Sequence, residues 1–212
     1  RIFGHRNGVR AVRAAIEASA EIGVKYLTLY AFSTENWSRP KIEIDALMSL
    51  LINTINSETE TLIKNNIALK TIGDTQSLPK AVQKKLNEVI DKSSKCTGLT
   101  VILALSYSSR WEITNAAKQL IKDFSENKIT FEEVNEEKLN SYLTTQGIPD
   151  PELMIRTSGE YRISNFLLWQ LAYSELYFTS TLWPDFDKEE LYKAVIDYQK
   201  RERRFGKISE QL

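Results

Sequence analysis

Two stretches of this chain concentrate side chains that handle anions and developing charge. Ser33, Thr34, Glu35, Asn36, Trp37, Ser38, Arg39 and Pro40 put hydroxyls, a carboxylate, an amide, an indole and a guanidinium into one short segment. Arg156 to Asn165 carries two arginines six positions apart, Arg156 and Arg162, with Thr157, Ser158 and Gly159 between them and Ile163 and Ser164 after them. Guanidinium forks hold phosphate oxygens in pairs. Carboxylate and amide oxygens stabilise positive charge that develops nearby. Together these are parts for a reaction in which an anionic group departs from a carbocation-like centre. Each segment also has a plainer reading. Ser33, Thr34 or Ser38 can cap whatever follows. In the second segment Ser164 or Asn165 can cap a helix while the arginines pair with Glu160.

Three weaker clusters accompany them. Arg1, His5 and Arg6 open a predicted helix, where free backbone N–H groups favour an anion; a solvated terminus explains them as well. Glu175 lies among aromatic residues in Ala172–Phe178. Burial of an unpaired carboxylate is costly, so it should face either an arginine or a cation, and the ion pair is the simpler of the two. Arg201, Arg203 and Arg204 before Gly206 read as the basic end of a helix with its glycine stop. The nucleotide-binding glycine loops and the Gly-x-Ser-x-Gly elbow are absent from the sequence, and so is the paired Asp-Asp-x-x-Asp pattern.

The elements that must position these residues alternate helix and strand. Val9, Val12, Ile16 and Ala20 recur at helical spacing ahead of Gly23. Tyr26–Phe32 reads as a buried strand, 43–66 as a long helix, and Ala68–Ile72 as a strand closed by Gly73-Asp74. A helix follows, with Pro79 in its first turn. Leu99–Leu105 is almost uniformly apolar, as a central parallel strand should be. Trp111–Asp123 is predicted helical, Asn127–Thr145 a polar excursion with a short helix near Leu139, and Leu153–Arg156 a strand. Asn165–Tyr173 is predicted as a helix, Leu176–Phe178 as a strand and Asp187–Arg204 as the last helix. This is the pattern of an α/β fold with a mainly parallel sheet flanked by helices, in one domain over residues 1–212. Ligands of such sheets bind beyond the carboxyl ends of the strands, which is where the two main clusters fall.

Composition limits the partners. The 28 basic and 28 acidic residues cancel, so no global field recruits nucleic acid. The single cysteine, Cys96, excludes an internal disulfide and a cysteine-rich metal site. One histidine excludes a multi-histidine site. No apolar run approaches the roughly 20 residues of a membrane span.

Four blocks of the sequence resemble the cis-prenyltransferases. They are Arg1–His5; Leu27–Pro40; Ile155–Glu160 continuing through Arg162–Gln170; and Tyr173–Phe178 with Trp183–Phe186. The resemblance implies a magnesium-dependent enzyme that condenses isopentenyl diphosphate onto an allylic diphosphate, with farnesyl diphosphate as starter. The product it implies is a long Z-polyprenyl diphosphate, undecaprenyl diphosphate for a bacterial cell-wall lipid carrier. A non-catalytic partner subunit of the same fold is the alternative. It further implies a cytoplasmic homodimer with a hydrophobic tunnel, no membrane span and contact with the membrane surface.

Carried onto this sequence, the resemblance assigns Arg1 and His5 to the allylic diphosphate. Ser33, Glu35, Asn36, Trp37 and Arg39, with Thr34 in the same loop, line the reaction centre, and Asn36 is the proton acceptor. Arg156, Arg162 and Ser164, with Ile163 between the last two, hold isopentenyl diphosphate. Glu175 helps ligate Mg²⁺. Arg204 and Gly206 reach a neighbouring active site. Leu99, Val101, Leu47 and Leu51 line the tunnel, with Leu99 at its floor. The family's opening strand and its Asp-Gly-Asn-Gly-Arg-Trp loop, whose Asp is the principal Mg²⁺ ligand, would precede Arg1, so the chain as written is expected to lack activity. Tyr161 stands where some members have histidine, and Ser106–Arg110 replaces a more usual Asn-Tyr-Gly-Gly-Arg loop.

Overall fold

The computed structural model describes residues 2–202, without the side chains of residues 2–7. Arg1, the side chain of His5, and Arg204 and Gly206 therefore lie outside the described residues. The chain gathers into two compact units. The larger comprises Gly23–Pro149 with Asn165–Leu167, and the smaller Arg1–Ile22, Asp150–Ser164 and Leu168–Leu212.

The larger unit is built on β3 (Thr100–Tyr107), which pairs in parallel with β1 (Tyr26–Ser33) on one side and β2 (Ala68–Ile72) on the other. Val101, Ile102, Ala104 and Leu105 are fully buried, as a strand covered on both faces requires. The helices are α2 (Lys41–Lys64), α3 (Lys80–Ser93), α4 (Ser109–Ser125) and the short α5 (Glu136–Asn140). α3 buries Val82, Leu86 and Val89 at helical spacing and packs on β2 and α2. Pro79 stands one position before this helix, at its cap. α2 buries Ile44, Met48 and Ile55, while Leu47 and Leu51, one turn apart, are only half-buried.

The smaller unit pairs β4 (Leu153–Arg156) in parallel with β5 (Glu175–Phe178). α1 (Ile2–Glu21) and α6 (Lys188–Gln199) pack together there. α1 presents Gly8, Ala11, Ala15 and Ala18, and this small-residue face lets Trp183 and Phe186 come close, stacked on each other at 5.7 Å. Lys188 bridges Glu17 and Glu21 of α1, and Tyr192 donates to Glu21. Among the described residues no helix is long and apolar enough to cross a membrane.

The α/β architecture with parallel strands and flanking helices agrees with the sequence pattern, but two helices depart from it. Asn165–Tyr173 is not helical. Ser164, Asn165 and Leu167 have φ of 51°, 59° and 46°, and a left-handed residue at each of these points breaks a right-handed helix. The last helix ends at Gln199 rather than Arg204. Arg201 turns back instead, donating to Glu175 Oε2 at 2.9 Å and to the Leu176 carbonyl at 3.0 Å.

Gly73 is the tightest point in the larger unit. Its φ is 103°, and a Cβ there would lie 2.3 Å from the Leu105 carbonyl oxygen and 3.0 Å from Tyr107 Cβ. Gly73→Ala is expected to lower stability by about 2 kcal/mol through this clash and the strained φ. Urea unfolding checks it: an unchanged midpoint would show that the β2 exit can back away from β3.

Candidate active site

The first cluster is shaped by two irregularities where β1 and β3 end. Tyr30 faces Ala104 and Phe32 faces Leu105, so Ala31 is an extra residue on β1; Ser33 then faces Tyr107, so Ser106 is extra on β3. Such bulges re-aim side chains at a sheet's rim. Ser106, with φ of 48° and 2% exposure, turns its hydroxyl to accept Trp37 Nε1 at 2.8 Å and to bond Ser77 Oγ at 2.8 Å. Trp37 is held further by an edge contact with Phe32, their ring centroids 5.0 Å apart. Its indole is therefore half-buried and fixed rather than a free surface ring.

Thr34–Ser38 forms a single 3-10 turn. Ser33 precedes it, and its N–H donates to Asn36 Oδ1 at 3.0 Å, fixing the Asn36 amide. Arg39 follows and pairs with Glu43 at 3.0 Å. Thr34 Oγ1 donates to Glu35 Oε2 at 3.3 Å, and Asn165 Nδ2 donates to Glu35 Oε1 at 2.9 Å. Burial alone would push the Glu35 carboxyl up. Hydrogen bonds from Asn165, the backbone, Ser33 and Thr34 outweigh it and hold the group below the ordinary carboxylate range. Tyr30, beneath this turn, is pushed up to about 12 by burial and by the Glu35 charge. The structure thus brings Ser33, Thr34, Glu35, Asn36, Trp37 and Arg39 onto one turn at the carboxyl end of β1.

The second cluster lies in the smaller unit. Arg156 closes β4, opposite Phe178. Ser158 and Gly159 follow in left-handed conformation, and their N–H groups bond the Thr181 and Thr179 carbonyls at 2.8 and 2.9 Å. This pins the loop that carries Arg162. The Arg162 side chain is exposed and paired with Glu160, the plainer reading of that cluster. Arg156 differs: its Nε is buried without an acceptor among the described residues. Because 165–173 is not a helix, an anion here gains no help from a helix N-terminus. The donors this cluster offers an anion are its guanidiniums.

Glu175 stands opposite Leu153 at the amino end of β5, three residues along the strand from Phe178, which faces Arg156. Its Oε2 accepts Arg201, which also pairs with Asp197. That is the ion-pair geometry. Among the described residues no group of three His, Cys, Asp or Glu side chains could hold a metal ion. The carboxylate expected to help ligate Mg²⁺, Glu175, is paired with Arg201 here, at the end of the ladder away from Arg156. Tyr161 is exposed, its ring 5.3 Å from Phe178.

Leu99 and Val101 are buried, with Leu99 just before β3. Two contributors were not visible in the sequence. In the sequence Ser106 stands only as part of a loop variant, and Asn165 only as a candidate helix cap. A serine next to a strand end carries no local sign that it will bond an indole 69 residues away.

Residues 1–206 match the family model described as "Putative undecaprenyl diphosphate synthase". An isoprenyl transferase of Chlorobaculum tepidum is 51% identical over 212 residues, which is 100% of this chain and 80% of that protein. The ditrans,polycis-undecaprenyl-diphosphate synthase ((2E,6E)-farnesyl-diphosphate specific) of Haemophilus influenzae is 49% identical over 97% of this chain and 86% of its own length. The crystal structure of lavandulyl diphosphate synthase from Lavandula x intermedia in complex with dimethylallyl diphosphate superposes with a TM-score of 0.93. It is 33% identical, covering 96% of this chain and 88% of that one. With its parallel α/β fold and its arginine-bearing loops at strand ends, this chain belongs to the undecaprenyl diphosphate synthase family of prenyltransferases.

Proposed function

We propose that this chain lengthens farnesyl diphosphate with isopentenyl diphosphate to give undecaprenyl diphosphate. The observation that carries the reading is Arg156, whose buried Nε has no acceptor among the described residues. A buried guanidinium N–H without a partner costs free energy, and a diphosphate oxygen is the acceptor that matches it. The Haemophilus relative's farnesyl specificity supports the choice of starter. No observation favours a non-catalytic partner subunit, and the relatives above are named as transferases or synthases.

On this reading Arg156, Arg162, Ile163 and Ser164 take isopentenyl diphosphate, and Arg39 faces diphosphate at the reaction loop. Departure of diphosphate leaves allylic carbon positive. The Glu35 carboxylate, kept ionised by its hydrogen bonds, stabilises that charge. The isopentenyl double bond attacks the allylic carbon, and the proton lost in forming the new alkene passes to Asn36. Trp37 walls the centre against water. Magnesium is proposed as a companion of the diphosphates, since this ion is commonly held by substrate phosphates and water with few protein ligands. The homodimer and the cytoplasmic setting belong to the same proposal; exposed Tyr173, Leu176, Leu182 and Ile196 offer apolar surface for a second subunit.

The growing chain needs apolar cover, worth roughly 0.8 kcal/mol per buried CH₂. The half-buried Leu47 and Leu51 row of α2 and the β3 residues Leu99 and Val101 are proposed to give it. Leu99 lies seven residues before Ser106, roughly 23 Å along an extended strand. That separation from the loop after β1 supports the reading of Leu99 as a floor.

Incubating the full-length protein with farnesyl diphosphate, radiolabelled isopentenyl diphosphate and Mg²⁺ tests the proposal; if no lengthened product appears, it fails. Arg156→Ala is expected to raise KM for isopentenyl diphosphate roughly tenfold or more while moving that for farnesyl diphosphate little. Equal effects would remove Arg156 from its assigned substrate. Leu99→Ala should shift the product distribution to longer chains by opening the floor, and chromatography showing the wild-type ladder would take Leu99 off the channel.

A further inference from the structure

Asn165 joins the segment after Ser164 to the loop after β1. Its φ of 59° is left-handed, a conformation that asparagine tolerates better than most side chains. The residues after it are firmly seated in the larger unit. Phe166 stacks on Tyr30 at 4.4 Å and 15° and meets Tyr107 edge-on at 6.0 Å, and Leu167 is 3% exposed. From this seat Asn165 uses its carbonyl oxygen and both polar atoms of its side chain. Its carbonyl accepts Ser109 N–H at 2.8 Å and its Oδ1 accepts Arg110 N–H at 3.0 Å. These are the first two amides of α4, whose own cap residue, Ser108, makes no side-chain cap bond. With Oδ1 turned to α4, Nδ2 points the other way, to Glu35 Oε1 at 2.9 Å. The amide cannot flip without setting oxygen against carboxylate and N–H against N–H.

We propose that Asn165 is a positioning residue for the prenyl-transfer centre, holding the Glu35 carboxylate at a fixed point by an amide locked in orientation on the start of α4. The assignment rests on the proposed role of Glu35 beside the reacting carbon. It identifies a job for a residue outside the diphosphate-holding set. Glu35 is faced by the amide of Asn165, the hydroxyls of Ser33 and Thr34, and the phenol of Tyr30. Arg39 on the same loop is paired with Glu43, and among the described residues no cation pairs with Glu35. The carboxylate therefore depends on neutral donors, of which Asn165 makes the shortest side-chain contact.

Asn165→Asp separates the two duties of the side chain. An aspartate keeps an oxygen for Arg110 N–H, and negative charge is favourable at a helix N-terminus. It removes the donor to Glu35 and sets a second carboxylate there, which raises the pKa of the pair. The expected result is a protein that melts near the wild-type temperature, with the Glu35 carboxyl titration, followed by ¹³C NMR, displaced to higher pH. Its kcat should fall roughly 10- to 100-fold, with KM for both diphosphates changed much less. Asn165→Gly, which suits the left-handed φ, should also displace the titration upward, though less, and should lower kcat. If Asn165 serves only to cap α4, the aspartate variant will match the wild type in titration and in kcat, and either match overturns the assignment. A wild-type protein that does not lengthen farnesyl diphosphate sinks the proposed function instead, while the Glu35 titration still reports whether the clamp exists.

Discussion

Glu112 sits in the first turn of α4 with 1% of its surface exposed. A carboxylate that far from water is tolerated only when its oxygens are supplied with donors. Tyr107 OH reaches Oε2 at 2.6 Å, Thr144 N–H reaches Oε1 at 2.9 Å, and the Thr144 hydroxyl bonds the same oxygen. Thr144 Oγ1 in turn accepts Gly73 N–H at 3.2 Å. One side chain thus ties the end of β3, the start of α4, the exit of β2 and the excursion before Pro149. Tyr107 is pushed well above the ordinary phenol range, by burial first and by the Glu112 charge next. It therefore stays protonated and remains a donor at any physiological pH.

What stands on this knot is the loop after β1. The Tyr107 carbonyl accepts Tyr30 OH at 3.0 Å, and the two rings meet edge-on. Tyr30 carries Phe166, and Phe166 seats Asn165. The extra residues Ala31 and Ser106 rotate the strand ends so that Trp37 can lean on Ser106 while β1 and β3 stay paired on either side of them. Buried polar networks of this kind are costly when half-satisfied and rigid when complete. The Ser106 hydroxyl makes the same point on a smaller scale, since two separate segments converge on it.

The parts of the fold that burial periodicity controls were legible in the residues. Ala68–Ile72 and Leu153–Arg156 are strands at the expected bounds, and the apolar run ending at Leu105 is the central strand. Phe166, Leu167, Leu168 and Trp169 form an equally apolar run, yet they are not helical. Left-handed Ser164 and Asn165 precede the run and left-handed Leu167 interrupts it, and apolar pattern carries no information about the sign of φ. The site divides in the same way. The loop after β1 announced itself by the density of its functional groups. The Trp37–Ser106, Asn165–Glu35 and Arg201–Glu175 bonds did not, because each joins residues far apart in the chain. The Arg162–Glu160 pair, two positions apart, could be anticipated locally.

The arginines differ in what holds them. Arg39 and Arg162 are exposed and already matched to Glu43 and Glu160. Exposed pairs of this kind are worth roughly 0–1 kcal/mol, so a diphosphate can displace the carboxylates at little cost. They also keep local charge balanced in a chain whose 28 positive and 28 negative residues cancel. Arg156 has no such stand-in on its buried Nε among the described residues. An anion that reaches it relieves an existing desolvation cost instead of displacing a competitor. On the proposed reading the gradient in binding strength therefore favours Arg156 over the exposed pairs. That gradient follows from burial alone, since all three groups carry the same charge.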